Sequence, residues 1–211
     1  MLIHQCPDLR ELSILTQGLG PGNPIDARSL FPGNHWLRLR SLELGNVMVG
    51  SPIIDASDSH PFISFLSERS QLRTLRFSGD FTLSSTHFAR LPRDSLQNLR
   101  CFTGSIDHLS SLPSAKGLLS MEIPNPLILR EVTPLTISHA LQAAPALQSL
   151  KISFVLQSGY DGIGILRSIA MAGAHIKHLD LTFSHKPCFY LVSLLHYQIS
   201  PLHRLIRWCS V

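Results

Sequence analysis

A six-residue pattern, apolar–x–x–apolar–x–apolar, recurs seven times along the chain. Its second half alternates apolar and polar residues, and a period of two predicts a short β-strand with one buried and one exposed face. Successive copies begin 30, 33, 27, 19, 29 and 29 residues apart. The copies are Leu9/Leu12/Ile14, Leu39/Leu42/Leu44, Leu72/Leu75/Phe77, Leu99/Phe102/Gly104, Leu118/Met121/Ile123, Leu147/Leu150/Ile152 and Ile176/Leu179/Leu181.

The segments between these copies carry apolar residues at helical spacing. The pattern predicts helices over 61–71, 136–144 and 162–174. A helix that returns the chain to the next strand in the same direction makes neighbouring strands parallel. The 19-residue step from Leu99 to Leu118 is too short for a full helix, so we expect an irregular connection with one or two helical turns there.

Units of this length are typical of leucine-rich repeats. The sequence therefore predicts an α/β fold, a leucine-rich-repeat solenoid of about seven repeats over residues 1–184. Its parallel sheet lines the concave face of an irregular horseshoe, with helices or irregular turns on the convex face. Gly104 adds no side chain to the buried rows, so we expect the middle of the chain to be least stable, with Ile106 as a partial replacement.

Residues 185–211 break the repeat pattern. We interpret them as a helical C-terminal cap, because solenoids need polar ends. A basic amphipathic membrane contact through His203, Arg204 and Arg207, or a disordered tail, are the alternatives. At the other end the first copy starts at Leu9, so the first strand is expected to be exposed, paired with another chain, or covered by residues outside this sequence.

Composition narrows the function classes. Hydrophobic residues make up 44% and charged residues 15%, which allows a continuous core. Lys and Arg are scattered singly and the net charge is only +4, so we do not expect nucleic-acid binding. There is no apolar run of 18 residues, hence no expected membrane span. The cysteines, which form no CxxC pair, indicate reduced thiols and a cytoplasmic or nuclear protein; they are Cys6, Cys101, Cys188 and Cys209.

The polar residues between the apolar strand positions are the candidate binding residues. One per repeat falls in a central row on the concave face, where Glu43 is expected beside Arg76 and Glu122 beside Lys151. We interpret this row as a surface for a protein or peptide ligand; the alternative is a cross-strand charge ladder that only neutralises itself. The row is Ser13, Glu43, Arg76, Thr103, Glu122, Lys151 and Asp180.

The rest of the sequence gives little support for a metal-binding, phosphate-binding or catalytic site. His175, His178, His185 and Cys188 resemble metal ligands, but their spacing matches no known zinc arrangement. The glycines of segment 159–164 precede a predicted helix but lack the remaining features of a phosphate-binding turn. The motifs of common hydrolases, P-loop proteins and zinc proteases do not occur. We therefore expect no catalytic residue, no metal and no cofactor, and a monomer.

The strand phrases LRELSI, LRSLEL, LRTLRF, LQSLKI and IKHLDL resemble the leucine-rich repeats of F-box proteins. CPDLRELSI, with Cys6-Pro7-Asp8 before the first strand, is similar to the ribonuclease-inhibitor-like branch of that fold. The irregular unit lengths are closest to divergent F-box proteins of fungi. The resemblance covers about residues 1–184 and does not include the F-box itself, a helical module that would precede the repeats.

The resemblance implies that the repeats hold the target of a cullin-based ubiquitin ligase. The ligase adaptor would bind only through the missing F-box, so this sequence would be the target-binding part. A free-standing repeat protein that acts as a scaffold or inhibitor is the alternative, and an enzyme is a third, less favoured one.

Overall fold

The computed structural model describes residues 6–15, 25–26, 36–45, 47–48, 60–79, 85–113, 115–128, 132–155 and 162–183. Its strands are β1 (Glu11–Leu15), β2 (Ile25–Asp26), β3 (Ser41–Gly45), β4 (Val47–Met48), β5 (Thr74–Ser78), β6 (Cys101–Thr103), β7 (Ser120–Glu122), β8 (Leu127–Ile128), β9 (Ser149–Val155) and β10 (His178–Phe183). Its α-helices are α1 (Pro61–Ser67), α2 (Ser85–Phe88), α3 (Ile106–Ser111), α4 (Pro134–Ala143) and α5 (Gly162–Ala172), and a 3₁₀ turn covers Ala115–Gly117.

The strands form an open parallel sheet. Its order is β1-β3-β5-β6-β7-β9-β10, so neighbours in the sheet follow one another along the chain, and β8 pairs with the end of β9. The short strands β2 and β4 pair with each other in a separate ribbon. The predicted α/β fold with parallel strands is confirmed, and all seven predicted strands are present.

A recurring turn precedes the seven consecutive strands of the main sheet, β1, β3, β5, β6, β7, β9 and β10. The backbone N–H of Leu39 donates to Trp36 O at 3.0 Å, and that of Leu147 donates to Ala144 O at 3.0 Å. Equivalent bonds of 2.8–3.3 Å occur before the other five strands. The turn places the first apolar residue of the pattern in the core, as the complete burial of Leu39 and Leu147 shows, while Leu9 before the edge strand β1 is half-buried.

The apolar strand residues and the helices share one hydrophobic core. Leu42, Leu75 and Leu150 from the strands are at most 2% exposed, and Phe62 and Ile137 from the helices are fully buried. The inward positions predicted from the period of two are therefore confirmed. On β1, at one edge of the sheet, Leu12 and Ile14 are only half-buried.

The helices follow the predicted segments with shifted ends. α1 covers less than the predicted 61–71, while α4 starts two residues before the predicted 136 and α5 ends two before 174. Side chains set the starts, because an N-cap oxygen or nitrogen accepts a hydrogen bond from an N–H that has no partner within the helix. Thr133 Oγ1 accepts from Thr136 N at 3.2 Å, and His60 Nδ1 accepts from Phe62 N at 3.2 Å.

The space beside Gly104 is filled, although Gly104 itself adds no side chain to the core. A Cβ atom on Gly104 would lie 2.7 Å from Cζ of Phe102, so the Phe102 ring occupies the place of a side chain. That ring belongs to an aromatic group with Phe77 and Phe88, at centroid distances of 5.9–6.3 Å, and Ile106 is 3% exposed beside it. The lower stability expected for the middle of the chain stays a prediction. The missing side chain of Gly104 no longer supports it, because the Phe102 ring fills that space.

The C-terminal segment 185–211, with its predicted cap, lies outside the described residues.

Candidate functional site

The strand register places the predicted central row in line across the sheet. Each residue pairs with the next one on the neighbouring strand, from β1 to β10. Neighbouring members are about 4.8 Å apart, the usual distance between paired strands. The row is Ser13, Glu43, Arg76, Thr103, Glu122, Lys151 and Asp180.

The members of this central row differ in exposure. Ser13, Arg76 and Lys151 are exposed, and the three acidic residues are half-exposed. Thr103 belongs to the predicted binding row but is only 8% exposed, so it contributes little surface.

Two cross-strand contacts neutralise part of the row. Lys151 Nζ lies 2.7 Å from Glu122 Oε1, which agrees with the expected ion pair. Ser13 Oγ donates to Glu43 Oε2 at 3.0 Å. Glu43 and Arg76 are paired across β3 and β5, as expected, but within the described part of the chain Arg76 makes no ion pair. Arg76 is therefore the exposed cation of the row that is available to a partner.

Two further rows flank the central one, and the row after it contains Leu15, Gly45, Ser78, Ser105, Pro124, Ser153 and Thr182. The row before the central one is in register from Glu11 to His178 and contains mostly serine, threonine and cysteine. In the row after it, Gly45 is buried beneath Leu15. Ser105 lies beyond β6 and accepts a hydrogen bond from His108 N at the start of α3. None of the three rows contains an aromatic residue, so the described face has no aromatic anchor.

Four arginines form a further row that our sequence reasoning missed. Arg10, Arg40, Arg73 and Arg100 stand directly before strands β1, β3, β5 and β6, and all four are exposed. We expected scattered basic residues, but the sheet brings these four side by side. The signal was present in the sequence: the second position of the repeated pattern is arginine in each of the first four copies.

A surface cavity of about 230 Å³ adjoins this arginine row. It is lined by Arg10, Arg38, Arg40 and Gln71. Arg38 Nη1 lies 3.1 Å from Asp8 Oδ1, and both side chains are mostly exposed. Three of its four lining residues are arginines, whose guanidinium N–H groups bind carboxylate or phosphate oxygens.

A second cavity, of about 120 Å³, lies past the carboxyl ends of β5–β7. Phe77, Gly104, His108 and Pro124 are among its lining residues. It is largely apolar and brings no carboxylate, thiol or lysine beside His108, so it offers no set of groups for acid–base or nucleophilic catalysis.

Two cations among the described residues have shifted pKa values. The hydrogen bond to Glu122 raises the pKa of Lys151, and the charges of Glu122 and Asp180 add to the shift while partial burial opposes it. Burial lowers the pKa of Arg69, and the neighbouring Glu68 partly offsets this.

The histidine and cysteine cluster receives no support as a metal site. His175 Nε2 lies 3.2 Å from Ala144 O, and His185 and Cys188 lie outside the described residues. Across the described ranges no group of three or more His, Cys, Asp or Glu side chains is placed to hold a metal ion. Segment 159–164 is described only from Gly162, within α5. In the same ranges, no helix has the length and apolar character needed to cross a membrane.

Comparison of the sequence with protein-family models finds no match, and comparison with curated proteins finds none either. The resemblance to F-box proteins therefore rests on the strand phrases and the CPDLRELSI segment alone.

Proposed function

We propose that the parallel sheet is the strand side of a leucine-rich-repeat solenoid. The consecutive strand order and the recurring turn before each strand support this, because a solenoid stacks equivalent units against their sequence neighbours. In this proposal the polar rows form the concave face and the helices form the convex face.

The proposed function is non-enzymatic binding of a protein or peptide ligand on the polar face. The observation that carries it is the unbroken central row over seven strands. Six steps of about 4.8 Å give a length of about 29 Å, and an extended chain at about 3.3 Å per residue would need about nine residues to follow it. These dimensions suit the binding of one extended peptide segment or of the edge of a partner protein.

Arg76 is the residue from which we expect the largest single contribution. It is exposed, it lies near the middle of the sheet, and it makes no ion pair with a described residue. Arginine is enriched among the residues that dominate binding energy at interfaces. Lys151 contributes less in this proposal, because Glu122 already compensates its charge.

We further propose that this binding serves target recognition by an F-box ubiquitin-ligase receptor. The support is the resemblance of the strand phrases and of CPDLRELSI, whose turn is formed by the Leu9 N–H donating to Cys6 O at 3.3 Å. The free-standing scaffold or inhibitor remains the competing proposal, since it uses the same face without a ligase.

Affinity purification with quantitative mass spectrometry tests the binding face. Cells would express the wild type, the double variant Arg76→Glu/Lys151→Glu, and the control Arg167→Glu, which reverses an exposed charge on α5. We expect the double variant to lose at least one partner by tenfold or more and the control to lose none, with melting temperatures close to that of the wild type. Equal retention of all partners by the three proteins would contradict the proposal.

A pull-down with the ligase adaptor distinguishes the F-box receptor from the free-standing scaffold or inhibitor. An F-box joined upstream of this chain is expected to bring the adaptor and the face-dependent partner into one complex, and to increase ubiquitination of that partner. Adaptor binding by the chain without the added F-box, or an unchanged partner in the fused protein, would contradict the ligase context.

A further inference from the structure

We infer that the arginine row, Arg10, Arg40, Arg73 and Arg100, binds an extended acidic segment of a protein partner, with one carboxylate in the cavity between Arg10, Arg38 and Arg40. This inference rests on the proposed function, because it specifies the chemistry of the partner. It extends the binding surface from the central row to the edge of the sheet where the strands begin.

The backbone holds the arginine row in place. Arg10 O accepts hydrogen bonds from Arg40 N at 2.7 Å and Ser41 N at 3.0 Å. Arg40 O accepts in the same way from Arg73 N at 2.7 Å, and Arg73 O accepts from Arg100 N at 2.8 Å. The four arginines therefore occur at the strand spacing of about 4.8 Å.

The charge of the row is poorly compensated. Asp8 pairs with Arg38, and Arg100 Nη1 donates to the backbone O of Gly117 at 2.9 Å. None of the four row arginines forms an ion pair with a described residue. Like charges at this spacing repel one another, so an added anion would relieve a repulsion as well as form new bonds.

The positive charge is concentrated in one half of the sheet edge. The equivalent positions before β7, β9 and β10 are Leu119, Gln148 and Lys177, as their shared hydrogen-bonding pattern shows. The described face thus has a basic half formed by the first four strands and a nearly neutral half. This asymmetry indicates where on the sheet the acidic part of a ligand would lie.

The dimensions fit a peptide that crosses the strands. Three steps of about 4.8 Å span about 14 Å, which an extended segment covers with about five residues at about 3.3 Å each. Alternate side chains of such a segment point to one side, so about three carboxylates can face the row. The planar guanidinium fork binds a carboxylate through two parallel hydrogen bonds, a geometry that lysine does not offer.

A single-stranded nucleic acid fits this surface less well. Proteins that bind such strands combine basic grooves with aromatic side chains on which bases stack. The three rows beside the arginine row contain no Phe, Tyr or Trp. The observations therefore favour carboxylates carried by a peptide.

Fluorescence anisotropy with a labelled hexaglutamate peptide tests the inference. The row variant is Arg10→Gln/Arg40→Gln/Arg73→Gln, and the control Arg90→Gln/Arg93→Gln/Arg167→Gln removes three exposed arginines outside the row. We expect the row variant to bind at least tenfold more weakly than the wild type and the control to stay within threefold. The single variant Arg40→Lys, which keeps the charge, is expected to bind about threefold more weakly. Circular dichroism melts check that each variant is folded.

Three further probes define the outcomes that overturn the inference. These are hexalysine, a neutral peptide with one phosphoserine, and a single-stranded oligothymidine. Equal weakening by the row and control variants contradicts it, as does no binding of hexaglutamate by the folded wild type. Binding of hexalysine, the phosphopeptide or oligothymidine more tightly than hexaglutamate also contradicts it.

Different results would contradict the acidic-segment inference and the proposed function. If the row variant binds hexaglutamate normally while Arg76→Glu/Lys151→Glu still loses cellular partners, the acidic-segment inference is wrong and the binding face stands. If the face variants keep all partners, the proposed function itself is wrong.

Discussion

Lys151 and Glu122 form an ion pair between strands that are neighbours in the sheet although the residues are 29 positions apart in the chain, with Nζ and Oε1 at 2.7 Å. Asp180, on the other side of Lys151, adds to the negative potential that raises the lysine pKa. Both partners of the pair are substantially exposed, so we expect a small effect on the free energy of unfolding.

A double-mutant cycle with Lys151→Met and Glu122→Gln measures this pair. We expect a coupling energy of about 0.2–1 kcal/mol in low salt, as for exposed pairs in general. Screening should reduce it in 1 M NaCl, where the Debye length falls to about 3 Å. A coupling of the same size at both salt concentrations would show that the pair is not electrostatic in origin.

The pH dependence of the same pair has a defined sign. The folded protein holds the pKa of Lys151 above its ordinary value of 10.5, so the charged lysine favours the folded state. This contribution is fully present below pH 10.5 and is lost as the pH rises through the folded-state pKa. The stability difference between wild type and Lys151→Met should be constant from about pH 7 to 9 and shrink above the ordinary lysine pKa. A difference that disappears already below pH 9 would contradict this assignment.

Arg69 occupies a position in the recurring turn where the structure otherwise buries apolar residues such as Leu96 and Ala144. Its side chain is fully buried, and its three guanidinium nitrogens make no hydrogen bond to any described residue. Compensation comes from the Phe65 ring, 4.4 Å from the guanidinium carbon, and from Glu68 at 3.8 Å.

Replacing Arg69 by methionine should therefore stabilise the protein. We expect Arg69→Met to raise the free energy of unfolding by about 1–3 kcal/mol, because the desolvation cost of a buried cation is removed while its volume is kept. Urea denaturation measures the change. The matched control Arg73→Met, on the exposed surface, should change stability by less than about 0.5 kcal/mol. A loss of stability in Arg69→Met would show that the contacts of the guanidinium with Phe65 and Glu68 outweigh its desolvation cost.

Replacing Gly104 or Gly164 by alanine should change the free energy of unfolding in opposite directions. At Gly104 the new Cβ would lie 2.7 Å from Phe102 Cζ, so we expect a loss of about 1–3 kcal/mol through overpacking. At Gly164, inside α5, the nearest atom is Pro134 Cγ at 3.5 Å, an ordinary contact. There we expect a gain of about 0.5–1 kcal/mol, because alanine loses less conformational entropy in a helix. Thermal melts of the two variants test both signs, and a stable Gly104→Ala would contradict the filled space beside Phe102.

The start of α4 depends on Thr133. Its Oγ1 accepts the Thr136 N–H at 3.2 Å and lies 2.9 Å from Thr136 Oγ1. Thr133→Ala should cost about 1 kcal/mol, as for other N-cap removals, while Thr133→Ser should cost only a few tenths. Chemical denaturation of both variants measures the difference. Equal losses in the two would place the effect in the threonine methyl group instead of the cap.

The strands and their register could be predicted because the relevant information is local and repeated. Leu42 and Leu75 occupy the same place in two copies of one pattern, and each copy brings its own strand and turn. Matching copies align because a shift by one residue would turn every apolar side chain away from the core. The helix ends were predicted less closely, since they depend on single caps such as Thr133.

The candidate site could be predicted only as a set of positions. The sequence determined that Glu43 and Arg76 are neighbours in the sheet, but side-chain conformation decided that Glu43 accepts from Ser13. In the same way Arg69 looks like any surface arginine in the sequence, and only packing places it in the core.

By itself, the sequence determined the parallel α/β sheet, the buried rows and the order of the exposed residues, because hydrophobic periodicity acts within a few residues of the chain. The tertiary structure alone decided which charges meet. It brought Arg10, Arg40, Arg73 and Arg100 into one row from positions 27–33 residues apart. The physical reason is that electrostatic neighbours in a stacked sheet are set by the distance between strands, about 4.8 Å, and not by distance along the chain.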